Sequence, residues 1–198
     1  MKATNSWITQ WGLGRRMSKF QVQEAAQVLR HDAGAVREWV GVAMHTSDER
    51  VATNILRVLL YLPAGVRRGV LRGDYDVWAD WAIRPDLQVR RALILAVLVD
   101  LQTADCWRPD LMDYCMTHMA DVSEHISSRA YMIRLLAVMC RLYPDLRREA
   151  ENLLALLPPE APPGLLAARR RALRIMASER RGSDRHRTSG QKGLTGRQ

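Results

Sequence analysis

The chain has 198 residues, of which 47% are hydrophobic and 26% charged, and it carries a net charge of +9. These values exclude a low-complexity disordered chain and are normal for a globular domain with a sizeable core. The charge is unevenly placed, because the last 19 residues, Arg180 to Gln198, hold six basic side chains and one acidic. A nucleic-acid partner, which positive charge often indicates, is therefore suggested by the C-terminal end more than by the rest of the chain.

Three cysteines, Cys106, Cys115 and Cys140, form an odd set without paired spacing, which favours free thiols in a reducing compartment. The first residues contain no unbroken apolar stretch that would mark a signal peptide. The longest apolar run, from Ala92 to Val99, is far shorter than the roughly 20 residues that span a bilayer. We therefore expect a cytoplasmic protein without membrane contact.

Capping signals organise the N-terminal half. Trp7 and Trp11, four residues apart in a lead-in segment (residues 1–17), could lie on one face of a short helix. Three helices follow from side chains suited to helix starts: Ser18–Arg30 with Ser18 and Gln21 as a capping box, about Gly34 to His45 after Asp32, and Thr46 with Glu49 to about Leu62. Residues 63–73, interrupted by three glycines, are predicted to be a loop or a frayed turn.

The second half begins with a helix that Asp74 caps and that runs to about Ile83. Arg84–Gln102 is predicted to be the central helix, because it opens with Pro85 and is then apolar on almost every side, as a buried helix is. The remaining predicted helices are Pro109–Ala120, Ser123–Leu142, about Asp145 to Leu157, and Leu165–Ser178. Residues 179–198 are almost free of apolar side chains and are predicted to be disordered. No segment alternates as a strand does.

A repeat of 38 residues connects three of these helices. When the sequence is aligned with itself at an offset of 38 residues, one column contains the acidic residues Asp48, Asp86 and Glu124. A second column contains Thr53, Arg91 and Arg129. Helices that carry Trp39, then Trp78 and Trp81, lie between them. Each unit is thus a pair of antiparallel helices, and one pair cannot bury its own apolar face unless neighbouring pairs stack on it.

This pattern resembles the HEAT-like repeats, whose inner helix often starts with an acidic residue and carries an arginine several residues later. Asp86 with Arg91 and Glu124 with Arg129 match that arrangement, and Asp48 matches half of it because Thr53 replaces the arginine. The resemblance implies an all-α fold: a right-handed α-α superhelix of about five helix pairs over residues 18–178. It also predicts that the four matching residues form a structural ladder, in place of a phosphate site at Arg90 and Arg91.

A second resemblance concerns the words ADWAIRPDLQVRRALI, which look like a stretch of the DNA alkylation-repair glycosylases built on HEAT-like repeats. It implies that Trp78, Asp80, Trp81 and Arg90 could contact nucleic acid. The chain lacks the aromatic residue that the family often has near the start of the second helix. Leu95 and Ile133 also replace the basic residue of the repeat column that starts with Arg57. The alternative is that both tryptophans pack between repeats with their N–H groups satisfied.

Two further sets of side chains are candidates for chemistry. Cys115, His118 and His125 have spacing that could hold zinc, but no fourth ligand follows, and a buried cysteine beside a surface histidine is commoner. Arginines crowd the last helix at Arg169, Arg170, Arg171 and Arg174, either as a water-facing side or as an arm for an acidic partner or nucleic acid.

No nucleophile with its base, no paired carboxylates and no phosphate-binding glycine loop stands out, so we expect no cofactor and no metal, and a non-enzymatic function is favoured over a catalytic one. The function predicted from the sequence is a scaffold or adaptor that docks a protein partner on the concave face of the superhelix. A nucleic-acid binder or repair glycosylase is the alternative. A regulatory subunit of an enzyme is a third possibility.

Overall fold

The computed structural model describes residues 4–177, with side chains from Trp7 onward, and every regular element in that range is helical. The predicted all-α fold class is confirmed. None of the described helices is long and apolar enough to cross a bilayer. The predicted disordered tail, residues 179–198, lies outside the described residues. The chain divides into two compact units, Met1–Leu111 and Met112–Gln198, and the boundary between them falls inside a helix.

The first unit is built from helix pairs around an apolar core. Its helices are α1 (Thr4–Gln10), α2 (Lys19–Leu29), α3 (Ala33–His45), α4 (Glu49–Tyr61), α5 (Ala64–Leu71), α6 (Tyr75–Ile83) and α7 (Arg91–Leu101). Helix α4 packs on α2, α3 and α7, and α6 packs on α7. Ile55 and Leu59 of α4 and Leu95 of α7 have no exposed surface. Burial of these apolar side chains stabilises the packing of α4 and α7 in this unit.

Helix α8 (Pro109–His118) contains the boundary, and the second unit continues with α9 (Ile126–Leu142), α10 (Arg147–Ala155) and α11 (Pro163–Ala177). Helices α10 and α11 both pack on α9. The buried side of α11 consists of Leu165, Ala168, Ala172 and Met176. This apolar side of α11 packs against α9.

Helix starts were predicted with mixed success. The Ser18–Gln21 capping box and the Asp32 cap are confirmed, since each side chain accepts the expected backbone N–H. The Thr46 cap is wrong: Asp48 accepts from the N–H groups of Arg50 and Val51, and the Thr46 hydroxyl accepts from the N–H of Asp48. A carboxylate near the positive end of the helix explains why Asp48 takes this position.

Three regions differ from prediction in their secondary structure. Residues 64–71, expected to be a loop, form α5, followed by a 3₁₀ turn at Arg72–Asp74. The central helix begins at Arg91, later than expected, because Pro85–Leu87 form a separate 3₁₀ turn. In the second unit, α9 begins at Ile126 behind a His125 cap, three residues after the predicted start.

The Arg67 side chain explains why the glycine-rich segment is helical. Its guanidinium donates from Nη1 to the carbonyls of Leu59, Leu60 and Leu62 at 2.7–3.1 Å, and from Nη2 to Asp100 of α7. The last carbonyls of a helix have no partner within it, and here α5 supplies one. Tertiary contacts thus offset the low helix propensity of glycine.

We predict that Arg67→Ala lowers the free energy of unfolding by about 3 kcal/mol, because it leaves buried carbonyls and a carboxylate without their donor. Arg68→Ala is the matched control, since its side chain is exposed on the same helix and should change stability by less than about 0.5 kcal/mol. Urea unfolding followed by circular dichroism measures both. Equal losses in the two variants would contradict the anchoring role of Arg67.

A candidate binding cleft lined by arginines

An open cleft of about 390 Å³ lies in the first unit, between α4 and the connection from α1 to α2. Four arginines and one glutamate line it, together with Thr53 and Asn54: Arg15, Arg16, Arg50, Arg57 and Glu49. We call this the arginine cleft. Arg50, Thr53 and Arg57 are spaced by three and four residues, which places them on one face of α4. The opposite face of α4 is buried in the core.

The floor of the arginine cleft is fixed by Asn54 and Arg57. Asn54 is 4% exposed, and its side-chain N–H groups donate to the carbonyls of Leu13 at 2.8 Å and Arg15 at 2.7 Å. Arg57 donates from Nη1 to the Met17 carbonyl and to Asn54 Oδ1, both at 3.2 Å. The backbone that carries Arg15 and Arg16 is therefore held against α4 before any ligand arrives.

Glycine at position 12 permits the turn that brings this connection to α4. Gly12 lies two residues after the end of α1 and has φ of +61°, a left-handed conformation that residues with a side chain disfavour. Trp7 of α1 stacks on Trp39 of α3, with ring centroids 4.6 Å apart. The lead-in is thus packed onto α3 and α4, whereas the sequence predicted only that Trp7 would share a helix face with Trp11, which lies beyond the end of α1.

Glu49 lines the arginine cleft, but its charge is already compensated. Arg90, at the start of α7, donates to both carboxylate oxygens of Glu49, at 2.6 and 2.9 Å. Asp48 adds one carboxylate nearby, because its side chain lies beside Gly14 in the connection from α1 to α2. No described residue pairs with the side chains of Arg15, Arg16 or Arg50. Arg90 cancels the charge of Glu49, and Asp48 cancels one of the four arginines of the arginine cleft. The surface therefore keeps an excess of about three positive charges.

The predicted nucleic-acid residues Trp78, Asp80, Trp81 and Arg90 take part in three separate sets of contacts. Arg90 is 3% exposed and also donates to the carbonyls of Ala43 and Thr46, so its donors are occupied away from solvent. Trp78 is fully buried and meets Trp81 edge to face, with centroids 5.3 Å apart. Its Nε1 has no hydrogen-bond partner among the described residues, contrary to the expectation that this N–H would be satisfied.

Asp80 belongs to a separate group around Arg108. Arg108 donates to Asp80 at 2.6 Å, to Asp110 at 2.5 and 2.8 Å, and to the Asp76 carbonyl at 3.0 Å. The hydrogen bond from Arg108 lowers the pKa of Asp110, and the same carboxylates raise the pKa of Arg108. Asp80 is thus a carboxylate bound to an arginine of the same unit.

The two ladder arginines, Arg91 and Arg129, make comparable contacts in their repeats. Arg91 donates to the carbonyls of Ala82 and Arg84, and Arg129 donates to those of Met119 and Ala120, so each binds the end of the preceding helix. Asp86 accepts from Arg84 at 2.6 and 3.0 Å. The Glu124 carboxylate accepts from the Tyr114 hydroxyl at 3.2 Å. Pairing of each acidic residue with its repeat arginine stays a prediction.

The possible zinc ligands have other surroundings. Cys115 is fully buried, the His118 ring lies against Tyr114 and 3.6 Å from Asp121, and His125 accepts the Ser127 N–H as a helix cap. Among the described residues, no group of three or more histidine, cysteine or acidic side chains is placed to hold a metal. Burial also raises the pKa of the Cys140 thiol to about 11, which disfavours the reactive thiolate.

The sequence contained Arg15, Arg16 and Arg50 but gave no reason to group them. Arg15 and Arg16 lie in the segment predicted as an uncertain lead-in, and Arg50 is in the first turn of α4. The one signal available was Arg57, a basic residue in a repeat column that is otherwise apolar. Contacts between segments about 40 residues apart were needed to join the four arginines.

Comparison with known proteins gives the family. A model of the HEAT repeat domain matches residues 9–176, which is most of the chain. No curated protein and no solved structure gives a significant match. The matched range includes the whole of α2 to α10 and the arginine cleft, and its helical pairs agree with the described structure. The chain belongs to the HEAT repeat family.

Proposed function

We propose that this chain is a non-catalytic scaffold that docks a protein partner, and that the arginine cleft is its docking site in the first unit. HEAT repeats form helical scaffolds that often serve protein interaction. The observation that carries the proposal is the preformed cleft, where Asn54 and Arg57 hold unpaired arginines beside the exposed face of α4. Docking on a concave face, as the sequence predicted, stays a prediction.

The residues that would be needed for catalysis do not support an enzyme. Asp80 and Arg90, which the resemblance to the glycosylases implicates in nucleic-acid contact, are committed to other partners: Asp80 is bound to Arg108, and Arg90 is buried against Glu49. A general base or a nucleophile must reach the proton or the atom it acts on. The contact of Asp80 with Arg108 fixes α6 to the start of α8, and the contact of Arg90 with Glu49 fixes α7 to α4. Such contacts between helices are what a rigid scaffold requires.

We expect a photo-crosslinking amino acid at Thr53, inside the arginine cleft, to label a specific protein in extracts of the source cell. The same amino acid at Asn152, which is exposed on α10, is the control. The labelled protein is then purified and mixed with the chain in titration calorimetry. Adducts with nucleic acid alone, or the same protein labelled equally from both positions, would overturn the proposal.

Nucleic-acid binding is a second candidate, and exposed arginines on α11 favour it. Arg170, Arg171 and Arg174 lie on the water-facing side of that helix, and the basic residues after Ser178 continue the positive charge along the chain. Positive charge of this kind binds phosphates without sequence preference and releases them as salt rises.

We predict that the full chain binds a labelled DNA duplex at low salt and that a chain ending at Ser178 binds it at least tenfold more weakly. The reason is that +4 of the +9 net charge lies beyond that residue. Fluorescence anisotropy at 20 and 150 mM salt, about two- to threefold different in screening length, measures both. Tight binding kept by the shortened chain would favour a nucleic-acid function of the helices and count against the protein scaffold.

A further inference from the structure

We infer that the arginine cleft binds an acidic segment of the partner, in which several aspartate or glutamate carboxylates lie close together. This inference rests on the proposed docking function and adds the chemistry of the partner. The guanidinium group is planar and presents paired N–H donors that match the two oxygens of a carboxylate. Arg15, Arg16 and Arg50 offer such donors at one cleft, and no described residue uses them.

The way charge is compensated elsewhere in the first unit supports this assignment. Arg67, Arg72, Arg84, Arg90 and Arg108 each bind a carboxylate of their own unit. The chain therefore has enough acidic residues to pair its arginines where pairing is needed for the fold. Arginines left unpaired around a preformed cleft repel one another, so an anionic ligand would gain free energy by binding there.

The extent of the positive surface separates an acidic peptide from a nucleic acid. The positions of α7 that correspond in the 38-residue repeat to Thr53 and Arg57 are Arg91 and Leu95. Arg91 is 2% exposed and bound to carbonyls, and Leu95 is fully buried. The basic row of α4 therefore ends at the neighbouring helix. A nucleic acid needs positive charge along several successive phosphates, whereas a short acidic segment fits a single cleft of about 390 Å³.

The floor of the arginine cleft also suits a carboxylate cluster. Arg57 is half-buried, and its Nη1 is held by the Met17 carbonyl and Asn54, which fixes the plane of the guanidinium. Arg15, Arg16 and Arg50 are exposed and can turn toward a ligand. The fixed guanidinium of Arg57 would hold one carboxylate of the acidic segment firmly. The three adjustable guanidinium groups would accept variation in the position of the other carboxylates.

The test is a titration of the full chain with a fluorescein-labelled eight-residue peptide of alternating glutamate and serine, in 150 mM salt. The matched peptide has glutamine in place of glutamate. We expect the glutamate peptide to bind at least tenfold more tightly than the glutamine peptide. The double variant Arg15→Gln/Arg50→Gln should lose about tenfold in affinity, because it removes two charges while Asn54 and Arg57 keep the local fold.

The matched control is Arg37→Gln/Arg148→Gln, which removes two exposed arginines outside the arginine cleft and should change affinity by less than about twofold. Equal losses in both double variants would show binding through net charge alone and would overturn the inference. The inference would also be overturned if a single-stranded oligonucleotide bound the chain more tightly than the glutamate peptide and if the Arg15→Gln/Arg50→Gln variant lost that binding. If Thr53 still crosslinks a protein while the glutamate peptide does not bind, the scaffold stands and only the acidic chemistry fails.

Discussion

Buried arginines that bind the ends of neighbouring helices are the interaction on which the rest of this structure depends. Arg67 donates to the end of α4, Arg90 to the end of α3, Arg91 to the end of α6, and Arg129 to the end of α8. Each is at most 6% exposed. A helix leaves its last four carbonyls without partners, and short repeat helices place many such ends inside the protein. Guanidinium groups with five donors satisfy them several at a time.

The same device sets the charge of the arginine cleft. Arg90 could have been a surface cation, but it is buried, and it uses Glu49 to compensate its charge. Glu49 is the acidic residue that would otherwise neutralise part of the arginine cleft. Because that carboxylate is committed to a structural bond, Arg15, Arg16, Arg50 and Arg57 remain in excess on the α4 surface. The Arg90–Glu49 ion pair thus stabilises the contact between α4 and α7 and also leaves the arginine cleft free for an external anion. Glu49 therefore connects the stability of the fold with binding at the arginine cleft.

Local signals predicted most of the fold, and long-range contacts account for the rest. Capping side chains and apolar periodicity placed most helix ends within a few residues, since both act over one or two turns. Helix α5 was missed because its glycines argue against a helix, and only the bonds of Arg67 to α4 and α7 override them. The arginine cleft was missed for a similar reason: the Asn54 and Arg57 bonds join segments about 40 residues apart. Arg90 looked available in the repeat pattern, which contains no information on burial.

The measurement that tests this account most directly is the affinity of an acidic peptide for a Glu49→Gln variant at low and moderate salt. Removing the carboxylate leaves the Arg90 charge uncompensated behind the arginine cleft, so the account predicts severalfold tighter binding at low salt together with lower stability. Circular dichroism establishes that the variant is folded under the binding conditions. Unchanged or weaker binding by a folded Glu49→Gln variant would contradict the claim that positive charge at the arginine cleft, to which the Arg90–Glu49 pair contributes, drives binding of the acidic peptide.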